Sequence, residues 1–214
     1  MSGLFITFEG CDGSGKSTQI ARLERRLRAL GHDVRSFREP GGPEVGGAGE
    51  RIRAILLDPA LGELDPVAEL LLYEAARAQL VSAHYRPALA DGAIVLGDRY
   101  TDSTVAYQGY GRRVLLIERI RALNELATGG LVPDLTMLLD VDAADGLAQA
   151  TTQGADRLER AGRAFHERVR TGYLALAAAE PDRVKLIVRG TVDEVAGAVW
   201  AFVEPLLPAA GEGA

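Results

Sequence analysis

Eight residues near the N-terminus, Gly10-Cys11-Asp12-Gly13-Ser14-Gly15-Lys16-Ser17, restrict what this chain can fold into more than any other feature. They fit G-x-x-x-x-G-K-[ST], with the apolar run Leu4–Phe8 before them and a helix-period stretch after them. Glycines let the backbone curl so that successive N–H groups point inward at phosphate oxygens, and the following helix adds the positive end of its dipole. In such a loop Lys16 bridges the outer phosphates of a nucleoside triphosphate, and the Ser17 hydroxyl faces Mg²⁺. A glycine-rich turn that merely joins strand to helix would have to reproduce the whole motif and both flanks by coincidence. The chain spends basic charge as 22 arginines and only two lysines, Lys16 and Lys185, so a lysine at this position is pointed.

A strand–loop–helix start predicts an α/β fold, and the rest of the chain agrees. Near-continuous apolar runs at Leu4–Phe8, Val34–Phe37, Ile94–Leu96, Leu135–Leu139 and Val184–Val188 read as strands covered on both faces. Helical periodicity predicts helices over Lys16–Leu30, from Asp65-Pro66 through Leu71 and beyond, Val114–Ala127, Gly162–Ala179 and Val192–Leu206. Gly46-Gly47-Ala48-Gly49 reads as a loop before a helical Glu50–Leu57. The expectation is a three-layer P-loop NTPase fold, with a five-stranded parallel sheet flanked by helices. It forms one domain over residues 1–207, and the small, polar 208–214 is a frayed tail.

Net charge is −6, with no isolated basic block, which argues against nucleic acid as a partner. No apolar run has the length of a membrane span, and the N-terminus lacks a signal peptide's basic start. The single cysteine, Cys11, excludes an internal disulfide framework, so a cytoplasmic setting is expected.

The motif alone does not choose among GTPases, ATPases and kinases. A GTPase should carry N-K-x-D, and none is present. Instead, Phe37-Arg38-Glu39-Pro40-Gly41-Gly42 places an arginine and an acid at a sharp turn. Gly97-Asp98-Arg99-Tyr100 leaves the carboxyl end of the third strand, where open α/β sheets bind ligands. An arginine there offers a planar fork to phosphate oxygens, although a structural ion pair would use the same group. Tyr73 and Arg77, four apart on one helix, share a face, and an aromatic in that pattern is as readily core as ligand contact.

These segments together resemble bacterial thymidylate kinase nearly end to end. The likeness rests on Glu9 to Ser17, Arg38-Glu-Pro-Gly-Gly42, Ala68-Glu-Leu-Leu-Leu-Tyr-Glu-Ala-Ala-Arg77, Asp98-Arg-Tyr100, Ala106-Tyr-Gln-Gly109 and Asp156-Arg-Leu-Glu159. The resemblance implies a nucleoside monophosphate kinase that forms dTDP and ADP from dTMP and ATP for dTTP synthesis, with Mg²⁺, as a homodimer. It implies ATP on Gly10 through Thr18 and dTMP in a facing cleft. Asp12 would meet the sugar 3′-OH or help hold Mg²⁺, and Arg99 would clamp the acceptor phosphate, with Arg38 in the same region. Tyr73 would stack on thymine and Arg77 hydrogen-bond it, while Tyr107 and Gln108 would crowd the sugar 2′ position beside the base. Asp98 would join Ser17 at the metal, and Glu9 would orient metal-bound water or simply support the loop. Ser103 and Thr104 would touch the base or cap a helix.

None of the variable loop residues Cys11, Asp12, Gly13 and Ser14 is basic, and for such a loop the resemblance implies that the helping arginine comes from a lid at about 149–163. That segment departs from the family: Gln149 to Gly154 is uncharged, which leaves Arg157, Arg160 and Arg163 as candidates. Arg157 is preferred for its Asp-Arg-Leu-Glu setting. Rival readings are another nucleotide or deoxynucleoside kinase on the same frame and a P-loop module that binds without turnover.

Overall fold

The computed structural model describes residues 3–44, 46–142 and 161–207. Five strands, β1 (Leu4–Glu9), β2 (Val34–Arg38), β3 (Ile94–Asp98), β4 (Leu135–Leu139) and β5 (Val184–Ile187), form one parallel sheet in the order β2-β3-β1-β4-β5. Side chains alternate across β1, and the core divides accordingly. Ile6 and Phe8 pack with Leu23 and Leu27 of α1 (Lys16–Ala29) and with Val199 and Val203 of the C-terminal helix (Val192–Val203). Phe5 packs on the opposite face with Leu80, Tyr85 and Tyr100. The central strands β1, β3 and β4 are buried on both faces, which is why they read as near-continuous apolar runs, whereas the edge strands β2 and β5 are partly exposed.

Order reverses at β1: the chain crosses to β2, returns through β3, then passes to β4 on the other side. Ligands bind at such a switch point, outside the carboxyl ends of the strands. Register sets that edge level, with Phe8 opposite Asp98 and Arg38 opposite Asp98.

The helix at Pro66 starts as expected. The Asp65 carboxylate accepts from Val67 N at 2.9 Å and Ala68 N at 3.1 Å, and α3 runs Pro66–Leu80. Other boundaries differ. Helix α2 covers Ala48–Leu57, so two residues of the expected loop are helical. Gly49 fits there because a Cβ would meet Gly41 O at 2.3 Å, a closer backbone approach than any side chain allows. The helix expected from Val114 begins at Ile117 (α6, Ile117–Thr128). Before it, α5 (Thr101–Thr104) widens into a π-helical turn, Val105–Gly111. Arg113 then takes φ 58, which breaks the apparent periodicity of Val114-Leu115-Leu116. Helix α7 spans Arg163–Ala179, and α8 (Val192–Val203) gives way to a 3₁₀ turn at Glu204–Leu206, which carries Pro205. Residues 208–214 and most of the expected lid, including Arg157 and Arg160, lie outside the described residues. Among the described residues no helix is long and apolar enough to cross a membrane.

Candidate active site

The loop between β1 and α1 has the backbone its glycines permit. Gly10, Gly13 and Gly15 take φ 137, 74 and 89, and a Cβ on Gly10 would meet Leu139 O at 2.4 Å. Lys16 curls back over the loop, donating to Gly10 O at 3.0 Å and Cys11 O at 2.9 Å. Burial, and then the nearby Arg99 charge, lower its pKa. Ser17 is exposed and its hydroxyl donates to Asp98 Oδ2 at 3.0 Å.

Two cavities meet on this loop. One is lined by Gly13, Ser14, Gly15 and Thr18, with Val188 to Gly190 beyond β5. The other is lined by Asp12 and Arg99, by Tyr73 and Arg77 of α3, and by Thr104, Tyr107 and Gln108. Consecutive residues, Asp12 and Gly13, thus belong to different cavities.

In the second cavity Asp12 and Arg99 form a close ion pair. Tyr107 Oη donates to Asp12 Oδ2 at 2.8 Å, and its ring lies 5.0 Å below the Arg99 guanidinium. Burial raises the Asp12 pKa, but the Arg99 and Lys16 charges outweigh it and hold the carboxyl down at about 2. Arg99 also donates to Gly10 O at 3.1 Å and to the Ser103 and Tyr173 hydroxyls at 3.2 Å each. Its backbone sits at φ 73, a region that L residues occupy at a cost of roughly 1–3 kcal/mol.

Several expected residues have partners that refine their roles. Glu9 is fully buried, and its carboxyl takes Tyr100 N, Ser103 N, Ser103 Oγ and Tyr173 Oη at 2.6 to 3.2 Å. These four protein donors tie Glu9 to the turn after β3. Ser103 belongs to that network, whereas Thr104 receives Arg77 Nη1 at 2.8 Å. Arg38 does not line the acceptor cavity; its side chain is 56% exposed, 3.8 Å from Glu50. Arg53 of α2 lines it instead, with Nη1 on Pro40 O at 2.8 Å. Nothing in the sequence marked Arg53, because periodicity over Glu50–Leu57 does not tell which of its arginines folds back onto the Pro40 carbonyl. Arg163 is exposed and pairs with Glu167 at 2.7 Å.

Arg77 is 2% exposed and donates from Nε to Glu39, from Nη1 to Glu74, Thr104 and Asn124, and from Nη2 to Tyr100 O. Two buried carboxyls therefore share one guanidinium, and Glu39 Oε1 and Glu74 Oε2 lack hydrogen-bond partners among the described residues. Burial pushes Glu39 from 4.5 up to about 7, and Arg77 only partly opposes this. Between those values the folded protein holds a proton that the unfolded chain releases. This group's contribution to stability is therefore present below 4.5 and lost as pH rises through about 7. Urea melts at about pH 5 and about pH 8 should show wild type losing on the order of 3 kcal/mol relative to Glu39→Gln. A constant difference between the two proteins would contradict this.

A glycine-rich strand-to-helix loop shared by two cavities, one of them lined by arginines and tyrosines, on a five-stranded parallel sheet is the arrangement of a P-loop nucleotide-binding protein. Comparison with known proteins makes the assignment specific. The family model for thymidylate kinase matches residues 8–198. A thymidylate kinase of Deinococcus radiodurans is 53% identical over 204 residues, covering 94% of this chain and 96% of the relative. One from Solidesulfovibrio magneticus is 51% identical over 213 residues, covering 95% and 100%. The crystal structure of thymidylate kinase from Ehrlichia chaffeensis matches with a TM-score of 0.76 at 33% identity, covering 95% of this chain and 99% of that one. The chain belongs to the thymidylate kinase family, and is a nucleoside monophosphate kinase.

Proposed function

We propose that the protein transfers the γ-phosphoryl group of ATP to dTMP, giving ADP and dTDP, with the residues of the two cavities in defined roles. The observation that carries this reading is the division of the loop, with Gly13 to Gly15 facing one cavity and Asp12 the other. A donor in the first and an acceptor in the second would approach each other across two adjacent residues. The nucleophile is a phosphate oxygen already ionised at neutral pH, so no general base is needed. Catalysis then rests on alignment and on offsetting the charge of the transferred group by Lys16 and by arginines. Arg99 holds the acceptor phosphate with Arg53 beside it. Tyr73 stacks on the base, Tyr107 bounds the sugar, and Asp12 accepts from the 3′-OH.

Ser17 Oγ and the Asp98 carboxylate are hard oxygen ligands already side by side, which fits Mg²⁺. Mg²⁺ needs only one or two protein ligands beside substrate phosphates, so a larger acidic cluster is unnecessary. Bound there, the ion supplies charge neutralisation between the donor phosphates.

Incubation with ATP, Mg²⁺ and a panel of nucleosides and monophosphates, followed by ADP detection, tests the reading. dTMP should be the preferred acceptor. Preference for a nucleoside would replace it with a nucleoside kinase, and no ADP with any acceptor would leave a binding module. Arg157 is the proposed lid arginine, and Arg157→Ala should lower kcat far more than it raises KM for ATP. Unchanged turnover in that variant would remove it from the mechanism. The proposal includes a cytoplasmic homodimer, for which the exposed Ile55 of α2 and Val67 and Leu71 of α3 offer an apolar face. Light scattering at micromolar concentration checks the dimer.

A further inference from the structure

Helix α3 carries Glu69, Tyr73 and Arg77 at intervals of four, so the three share a face. Tyr73 and Arg77 line the acceptor cavity, whereas Glu69 lies fully buried one turn earlier. Its Oε1 accepts from Gln108 Nε2 at 3.1 Å and from Arg112 Nε at 3.3 Å, and its Oε2 accepts from Arg112 Nη2 at 3.3 Å. The Arg112 guanidinium lies 5.1 Å from the Phe165 ring, which holds this cation against α7.

The chemistry of that contact removes an ambiguity amide side chains usually carry. A primary amide has a donor end and an acceptor end of nearly equal shape. An ionised carboxylate only accepts, so it tolerates the NH₂ end and repels the carbonyl. With Nε2 committed to Glu69, Gln108 Oε1 has no protein partner among the described residues, and Gln108 itself lines the cavity. Arg77, in the same cavity, has five N–H groups. Protein acceptors occupy its Nε and Nη1 hydrogens and one on Nη2, which leaves one Nη2 hydrogen unclaimed. The residues lining the cavity thus carry one carbonyl and one N–H without a protein partner among the described residues.

We propose that Glu69 is a positioning residue for acceptor choice: it locks the Gln108 amide with its carbonyl toward the base, selecting a pyrimidine that carries a proton on N3. A uracil-type ring presents N3–H as donor beside O4 as acceptor, the complement of this pair. Cytosine presents a bare N3 beside an amino group and meets acceptor with acceptor and donor with donor. The proposal rests on the reading of this cavity as the nucleotide acceptor site.

The test compares kcat/KM for dTMP and dCMP in wild type and Glu69→Gln. A glutamine at 69 can accept from Gln108 or donate to it, so the lock is released while shape is kept. The dTMP:dCMP ratio should narrow about tenfold, the cost of one mispaired buried polar group, through KM more than kcat. On a Gln108→Leu background, Glu69→Gln should then leave the ratio unmoved. A merely structural role would lower melting temperature and both activities together at constant ratio, and that result overturns the proposal. Should Glu69→Gln fail to fold because Arg112 is left unpaired, Glu69→Gln/Arg112→Met removes that cation and is judged by the same ratio. If wild type does not phosphorylate dTMP, the reading of the cavity fails instead; an active wild type with an unmoved ratio sinks Glu69 alone.

Discussion

Replacing Arg99 by glycine is expected to lower kcat/KM for dTMP by about a thousandfold, the scale on which a phosphate-directed arginine contributes to phosphoryl transfer. Glycine is the informative substitution because position 99 has φ 73, which it adopts without strain. The turn after β3 therefore survives, and Asp12 keeps the Lys16 charge as a neighbour. The side-chain geometry also says how the clamp must work. Both Nη atoms of Arg99 are engaged by the protein, while Nε has no protein acceptor among the described residues. A two-point grip on phosphate then requires exchange of a weaker contact, the hydroxyls of Ser103 and Tyr173 at 3.2 Å being the longest to Nη1. Steady-state kinetics with a parallel thermal melt checks this. A loss below about tenfold, with the fold intact, would take Arg99 out of the acceptor clamp.

Arg77→Met is expected to destabilise the protein by about 4 kcal/mol, because removing one partner of a buried ion pair strands the other. Here it strands two, Glu39 and Glu74, and also leaves Tyr100 O, Thr104 Oγ1 and Asn124 Oδ1 without their donor. For a chain of this size that is a fall of roughly 10 °C in Tm. The loss should be smaller at about pH 5 than at about pH 8, since the stranded carboxyls can take up protons. Glu39→Gln added to Arg77→Met should recover part of the loss by removing one of the two buried charges. Denaturant melts of wild type and both variants measure it; a variant within about 1 kcal/mol of wild type would show that the cluster is not a structural hub.

All five expected runs became strands: the central β1, β3 and β4 were legible because burial on both faces leaves near-continuous apolar runs, while the edge strands β2 and β5 carried a weaker form of the same signal. The phosphate loop was legible because its residues act through backbone conformation and local spacing. The helix boundary after Gly111 was not legible: Val114-Leu115-Leu116 has helical periodicity, but the left-handed Arg113 ends the turn before the helix can propagate. Arg53 was not legible as a cavity residue, since its contact with Pro40 O depends on how α2 packs back on the turn after β2, whereas the side chain of Arg38, singled out in that turn, is 56% exposed. Glu9 was readable only as an acid at the end of β1, either beside the metal or supporting the loop, because its partners Tyr100, Ser103 and Tyr173 lie over 90 residues away. Glu69 carried a readable signal, its four-residue spacing from Tyr73 and Arg77, yet its partners Gln108 and Arg112 come from a π-helical turn and the residue that caps it, which periodicity does not announce.

That turn makes the length of one short segment a carrier of information. A π-helical turn holds an extra residue relative to α geometry. Val105–Gly111 uses it to present Tyr107 and Gln108 to the cavity while Gly111 seats against Phe165, where a Cβ would come within 2.7 Å. Loss of any one residue there would let the turn relax to α, leaving the flanking segments in place but changing which side chains the turn itself presents. Two relatives with identical residues flanking this stretch but a single gap inside it would present different walls to the acceptor. In comparing such chains, an insertion or deletion at this point weighs more than most substitutions.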